Sequence, residues 1–339
     1  MAEQRPSFAQ HLLWRLEAFA FDVFVGAIRL LPLDLASDFG AWLVKTIGPL
    51  TGSRRVVERN IDLVFPGMPA DQKARLIEAQ WDSLGRFFVE HPMLDRIIAD
   101  PSRVEIVGRE RLAAIAGGAG PVVFISGHFS NMEVMSAVIV NSGVKCQITY
   151  RAANNPYIEA RFRKSRYRYG VRDFAPKGEE GARDIIKAMS RGESVALMND
   201  QKYNGGVAAP FFGHIAHTAP GPSKFALRFG APLQPMSVQR TKGARFRVVV
   251  HEPIHLEETG DRAADLEAAV RRVNRFVEER VLERPHEWWW VHKRWPNEIY
   301  RRGASTPSAE PAATPAHPGE GRDPSGAEHR EILASRSEV

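Results

Sequence analysis

The sequence predicts an α/β fold with a largely parallel sheet flanked by helices, on three observations. From Val104 onward, short β-rich runs ("VEIV", "PVVFIS", "KCQITY", "SVALMND", "PLQPMSVQ", "FRVVVHEP") alternate with helical stretches. Strand–helix alternation of that kind marks βαβ units. The run "PVVFIS" is apolar and ends abruptly on Gly127-His128, as a buried strand does at the mouth of a parallel sheet. The 339 residues are 44% hydrophobic and 25% charged, a balance typical of a packed globular protein.

The elements follow in order. Before Val104 the patterning is helical, with an apolar N-terminal segment from Phe8 to Leu33. Further helical stretches are "LASDFGAWLVKTIGPL" and "DQKARLIEAQWDSLGRFFVEHPML", separated by a break at "FPGMP". Beyond Val104 the helical candidates are "NMEVMSAVIV", "NPYIEARFRKSRYRY", "GARDIIKAMSRG" and "PGPSKFALRFG". A last helix, about Asp261 to Val281, leads into "RPHEWWWVHKRWP". From Gly303 the composition falls to Ala, Pro, Ser, Gly and charge without Phe, Tyr or Trp, so that tail is expected to be disordered. The expected organisation is a helical, membrane-associating region over 1–100, an α/β catalytic domain over 101–302 and a tail over 303–339.

The N-terminal segment carries Arg15, Glu17, Asp22 and Arg29, so no uncharged run reaches the ~18–20 residues of a standard spanning helix. At helical spacing His11, Arg15, Asp22, Gly26 and Arg29 share one narrow stripe, with Glu17 the exception. A wide apolar arc with a thin polar stripe suits the membrane interface, or a core helix of a soluble fold. The start "MAEQRPSFAQ" is not that of a secretory leader. A single cysteine, Cys146, leaves no internal disulfide and points to a reducing compartment. The net charge of +6 fits an anionic partner: nucleic acid, a phosphate-rich lipid surface or an acidic protein.

Four constellations carry chemistry. In "GHFSNMEV", Gly127 permits close backbone approach and His128 sits at the strand mouth. Ser130-x-x-Glu133 reads either as a capping box or as the approach to a carboxylate that orients His128. In the second reading His128 is a general base for a substrate hydroxyl, because no serine or cysteine nucleophile on a sharp turn accompanies it. "RFRKSRYRYGVR" interleaves Arg161, Arg163, Lys164, Arg166, Arg168 and Arg172 with aromatic rings, which suits phosphate, an acidic carrier or a solvated helix face. It lacks any recognised nucleic-acid module. Asp200, in "LMNDQKYNGGVAAPFFGHIAHTAPG", ends a strand on the edge expected for His128. Gly205-Gly206 is expected to form a flexible turn there, and His214-x-x-His217 offers two metal-type ligands without an evident third. "HEWWWVHKRW" sets Trp288, Trp289, Trp290 and Trp295 beside cations, as at a membrane interface or in an ordinary core.

Taken together, "GHFSNMEV", "YRAANNPYIEARFRKSR", "NDQKYNGGVAAPFFG", "TAPGPSKFALRFGAPLQP" and "EWWWVHKRWP" resemble the late lipid A acyltransferases of Gram-negative bacteria, the lauroyl/myristoyl acyltransferase family. The resemblance runs from about Leu12 to Arg301. It implies a glycerolipid-acyltransferase-like fold and an enzyme on the cytoplasmic face of the inner membrane. Such an enzyme moves a fatty acyl chain from acyl carrier protein to a hydroxyl of a phosphorylated glycolipid, a lipid A precursor, with no cofactor, metal or nucleic acid. The alternatives are the same chemistry on a lysophospholipid or other glycolipid, and a non-enzymatic basic protein that binds membrane or nucleic acid. His128 and Glu133 match the family's His-x4-acid pair, Arg166 a family arginine, and Asp200 the acid of an Asp-Gln pair. The resemblance further implies substrate-binding or oxyanion roles for Arg166, Asp200, Arg151, Arg163 and Arg168. The sequence departs from the usual Gly-His-Phe-Gly-Asn-Trp-Glu at Ser130, for glycine, and at Met132, for tryptophan. On this reading His128→Ala and Glu133→Ala each abolish turnover and leave folding unchanged.

Overall fold

The computed structural model describes residues 6–176 and 178–301, so the tail expected from Gly303 lies outside the described residues. The chain opens with helices α1 (Phe8–Arg29), α2 (Leu33–Ile47), α3 (Ser53–Val64), α4 (Ala70–Glu90) and the short α5 (Leu94–Ile98). Ser7 starts α1 by accepting a hydrogen bond from the Gln10 amide. Helices α2 and α4 meet backbone to backbone at Gly40 and Gly85, where a Cβ on Gly40 would lie 2.4 Å from the Gly85 carbonyl oxygen.

The polar stripe of α1 faces the protein. Arg15 donates to the Tyr157 hydroxyl at 3.2 Å, Asp22 accepts from Arg161 at 2.6 Å, and Arg29 forms a two-pronged pair with Asp95 at 2.8 Å. Glu17, off the stripe, accepts from the Asn155 amide. The opposite face leaves Phe8, Leu12, Leu13, Leu16, Phe19 and Val23 exposed, at 49% to 86% of their full surface. Among the described residues no helix is long and apolar enough to cross a membrane.

Next come β1 (Val104–Val107), α6 (Arg109–Ala116), β2 (Val123–Ser126), α7 (Glu133–Asn141), β3 (Cys146–Tyr150) and α8 (Pro156–Arg168). They are followed by β4 (Phe174–Pro176), α9 (Glu179–Ser190), β5 (Ser194–Met198), β6 (Lys202–Phe211) and β7 (His214–Thr218). The chain then runs through α10 (Gly221–Phe229), β8 (Leu233–Arg240), β9 (Phe246–Val250) and α11 (Arg262–Glu283). Seven strands form one sheet in the order β1-β9-β8-β2-β5-β3-β4, parallel except that β8 and β9 run antiparallel. The alternation from Val104 therefore yields the α/β sheet it predicts. Strand β2 lies at its centre with all four side chains buried.

Two local expectations are corrected. Gly205-Gly206 is not the turn: both lie inside β6, where the pairing with β7 shifts register between Lys202 and Val207. The hairpin turns instead at Phe212-Gly213, both at positive φ (50° and 71°), the two-residue geometry that matches strand twist. His214 and His217 sit three apart on β7, so their side chains leave opposite faces and cannot share one metal ion.

Candidate active site

The site is made by two neighbouring parallel strands. β2 pairs with β5 in a register that sets Ser126 beside Met198, and the Asn199 amide donates to the Ser126 carbonyl at 3.0 Å. Two residues further along each strand's path lie His128 and Asp200, face to face at the carboxyl edge. The Nδ1 atom of His128 is 2.6 Å from Oδ1 of Asp200. The other oxygen, Oδ2, accepts from the His128 backbone amide at 2.7 Å and from the Trp288 indole at 2.8 Å. Gly127 is required between them, since a Cβ there would lie 2.6 Å from the Phe129 ring.

Burial pushes the Asp200 carboxyl up, but the His128 ring, its amide and Trp288 outweigh burial and hold it well below the usual carboxylate range. An ionised Asp200 only accepts hydrogen bonds, so Nδ1 of His128 carries a proton, and in the neutral imidazole Nε2 is the nitrogen left with a lone pair. Nearby, the fully buried Arg294 donates to the Thr218 hydroxyl (2.7 Å) and the Asn274 side chain, and lies 4.5 Å from the Phe211 ring centroid. Burial pulls its guanidinium down to about 10, against the opposing charge of Asp200.

Glu133 does not orient His128. It begins α7 and accepts from Nη2 of Arg166 at 2.5 Å, from Nε of Arg166 at 3.2 Å and from the Tyr169 hydroxyl at 2.9 Å. Its Oε1 also lies 3.7 Å from Nε2 of His91. Burial raises the Glu133 carboxyl, but Arg166 and then His91 overcome this and hold it well below the usual range. The carboxylate expected to hold the base is thus the partner of a buried arginine, because α7 directs it toward α8. Nor does the capping box form: the residue before α7 is Met132, without a side-chain cap. Ser130 is buried in the left-handed region (φ 44°), its hydroxyl without a hydrogen-bond partner.

Beside His128 opens a cavity of about 400 Å³, running between α7 and the strands β2, β3 and β5. Its wall is largely apolar, with Phe124, Ile125, Met132, Met135, Ile139, Ile148, Leu197 and Met198. Polar groups, namely His128, Glu133, Arg151, Arg166, Gln201 and His292, also line it. Arg166 packs over the Tyr150 and Phe174 rings and turns two donors on Glu133, so its charge is already compensated. Arg151 lines the same cavity from the loop after β3, and its side chain is exposed. Arg163 and Arg168 are exposed on α8 and do not line this cavity; Arg168 faces the cleft between α1 and α8.

The C-terminal tryptophan block closes the site from above. Phe129 and Trp288 form a β-bridge, and the Trp289 amide donates to the His128 carbonyl at 3.1 Å. Trp288, Trp290 and Trp295 are core residues, while Trp289 stacks on His292. Gln201, His292, Trp288, Tyr169 and His91 were not predicted as site residues. The Asp-Gln pair holds Gln201, the tryptophan block holds Trp288 and His292, and the basic–aromatic segment holds Tyr169, whereas no sequence signal marks His91.

Comparison with known proteins adds the following. Residues 5–297 match the model of a family described as bacterial lipid A biosynthesis acyltransferase. The chain is 25% identical over 250 residues to a lipid A biosynthesis lauroyltransferase of Escherichia coli (strain K12), covering 71% of this chain and 78% of that one. A lipid A biosynthesis palmitoleoyltransferase of the same strain is 26% identical over 250 residues, 70% of this chain and 77% of its own. A lipid A biosynthesis acyltransferase of Haemophilus influenzae is 24% identical over 310 residues, 86% of this chain and 94% of its own.

Proposed function

The chain belongs to the bacterial lipid A biosynthesis acyltransferase family, and from that premise we propose that it moves a fatty acyl chain from acyl carrier protein to a hydroxyl of a lipid A precursor, with His128 as general base. The observation that carries the reading is the His128–Asp200 pair, 2.6 Å apart at the mouth of an apolar cavity. The acceptor hydroxyl gives its proton to Nε2 of His128 while its oxygen attacks the thioester carbonyl. Asp200 fixes the tautomer and stabilises the imidazolium, which then returns the proton to the departing thiolate. Glu133 serves the site indirectly, by holding Arg166 in the cavity wall.

The apolar wall is read as the bed of the transferred chain. Arg151 and Arg166 are read as contacts for acceptor phosphate, and the exposed Arg163 and Arg168 as part of a wider basic surface toward anionic headgroups or the acidic carrier. The outward apolar face of α1 supports attachment to the membrane, which we assign to the cytoplasmic face of the inner membrane. A radiolabelled transfer assay tests the reading: acyl carrier protein loaded with several chain lengths, with tetra-acylated lipid A precursor or lysophospholipid as acceptor. Label passing to the precursor, and lost in His128→Ala, is the expected result. Label passing to lysophospholipid alone would move the acceptor, and transfer by His128→Ala would overturn the base.

A further inference from the structure

We propose that Gln201 is the oxyanion donor of the reaction, anchored for that task by His292. This rests on the acyl-transfer reading above and adds a catalytic residue to it. The Nε2 atom of Gln201 lies 3.3 Å from Nε2 of His128 and 3.2 Å from Nε2 of His292, so one side-chain amide bridges two imidazoles. The direction of these bonds follows from Asp200. The carboxylate at Nδ1 makes that nitrogen the donor, which in the neutral imidazole, the form a general base requires, leaves Nε2 of His128 an acceptor. Only the NH2 end of the amide satisfies an acceptor there, so Gln201 donates to His128. Its second N–H points at His292, whose own position is fixed: the Trp289 ring stacks on it and the Asn60 amide donates to its carbonyl at 2.8 Å.

The consequence appears when substrate arrives. A hydroxyl that gives its proton to Nε2 of His128 must occupy the lone pair that Gln201 uses in the free enzyme. The displaced N–H stays about a hydrogen-bond length from the reacting atoms, because His292 still holds the amide by its other hydrogen. It then faces the place where the thioester carbonyl oxygen gathers charge. The balance is complete without any added reagent. The C–O bond forms as the hydroxyl proton passes to His128, the carbonyl π pair moves onto oxygen beside Gln201, and collapse expels thiolate, which takes the proton back. Arg166, the cation expected to do this, has its Nε and Nη2 donors on Glu133. Gln201 has a donor that substrate binding itself releases.

The test compares wild type with Gln201→Leu, Gln201→Glu and His292→Phe, using purified full-length enzyme, acyl carrier protein thioester and lipid A precursor. Removing one preorganised oxyanion donor lowers kcat by about 10²–10³-fold. Gln201→Leu should show that loss with KM for the thioester changed less than about threefold. Gln201→Glu keeps the shape but sets a carboxylate against the developing oxyanion, so it should be no more active than Gln201→Leu. His292→Phe should lose less, because the donor remains but is no longer held. In parallel, nitrogen NMR of substrate-free protein should show the Nε2 signals of both His128 and His292 moving in Gln201→Leu, which checks the bridge without turnover. Gln201→Leu within threefold of wild-type kcat, or loss confined to KM, overturns the proposal. Wild type that transfers no acyl group overturns the acyl-transfer reading instead, while the nitrogen signals still report on the bridge.

Discussion

Oδ1 of Asp200 lies 2.6 Å from Nδ1 of His128, and the two residues are 72 apart in sequence, the same offset by which β5 pairs with β2. The contact is therefore a property of sheet register: slide either strand by one residue and the imidazole faces the wrong side of the sheet. An imidazole so positioned is held at the cavity by Asp200 with no contribution from α7.

Asp200→Asn should lower kcat by about 10²–10⁴-fold, since an amide does not hold the tautomer or offset the imidazolium. Steady-state kinetics beside circular dichroism check this, and unaltered kcat in the folded variant would exclude Asp200 as the orienting group.

Glu133→Gln should destabilise by about 3–5 kcal/mol, because it leaves the Arg166 guanidinium charged in the wall without a counterion. This reverses the expectation that Glu133 could be replaced without cost to folding. The carboxyl is held below its ordinary range in the folded state, so its contribution is complete above the unfolded value of about 4.3 and disappears as pH falls through the folded one. Urea titrations should thus find the gap between wild type and Glu133→Gln wide at pH 7 and narrowing below about pH 4. A gap independent of pH would contradict the ion-pair account.

Met132 lines the cavity, so Met132→Trp, which narrows it, should shorten the preferred donor chain. Each methylene excluded from the apolar bed costs about 0.8 kcal/mol, roughly a fourfold fall in kcat/KM. Competition among donors of graded length reads this out, and an unmoved optimum would place the chain elsewhere.

Leu16 and Phe19 are exposed on the outer face of α1, at 58% and 67% of their full surface. The Leu16→Glu/Phe19→Glu double variant should keep its thermal midpoint within a few degrees yet lose most flotation with lipid vesicles. Each large apolar side chain contributes about 1.5–3 kcal/mol to such burial. Undiminished flotation would assign membrane contact to another surface.

Ser130→Gly should stabilise the fold by about 1 kcal/mol. A side chain at φ 44° strains the backbone, and the buried hydroxyl it carries has no partner. Chemical denaturation measures the change, and a loss of stability would mean that the hydroxyl has a role in the fold.

Much of this was legible beforehand. The strand–helix alternation from Val104 is local in period, so the sheet could be anticipated, and "PVVFIS" became its central strand. The polar stripe of α1 was legible as a stripe, though not the side it faces, because the helix period gives a direction only relative to itself. The Gly205-Gly206 turn failed because glycine pairs also mark bulges, and the register of β6 against β7 decided between them. Glu133 failed for a related reason: five residues of separation bring it close to His128 along the chain, whereas contact depends on where α7 points.

The sequence by itself determined the class of fold, the histidine at the mouth of a buried strand and, through five blocks in order, the family. These are local matters: periodicity, composition and residue types at fixed spacing. Only the tertiary structure decided which carboxylate serves His128, that Arg166 is committed to Glu133, and that Gln201 and His292 join the site. Each depends on which strands become neighbours and how the tryptophan block folds back over the sheet edge. Strand order and side-chain direction arise from packing the whole chain, so no short stretch of it records them.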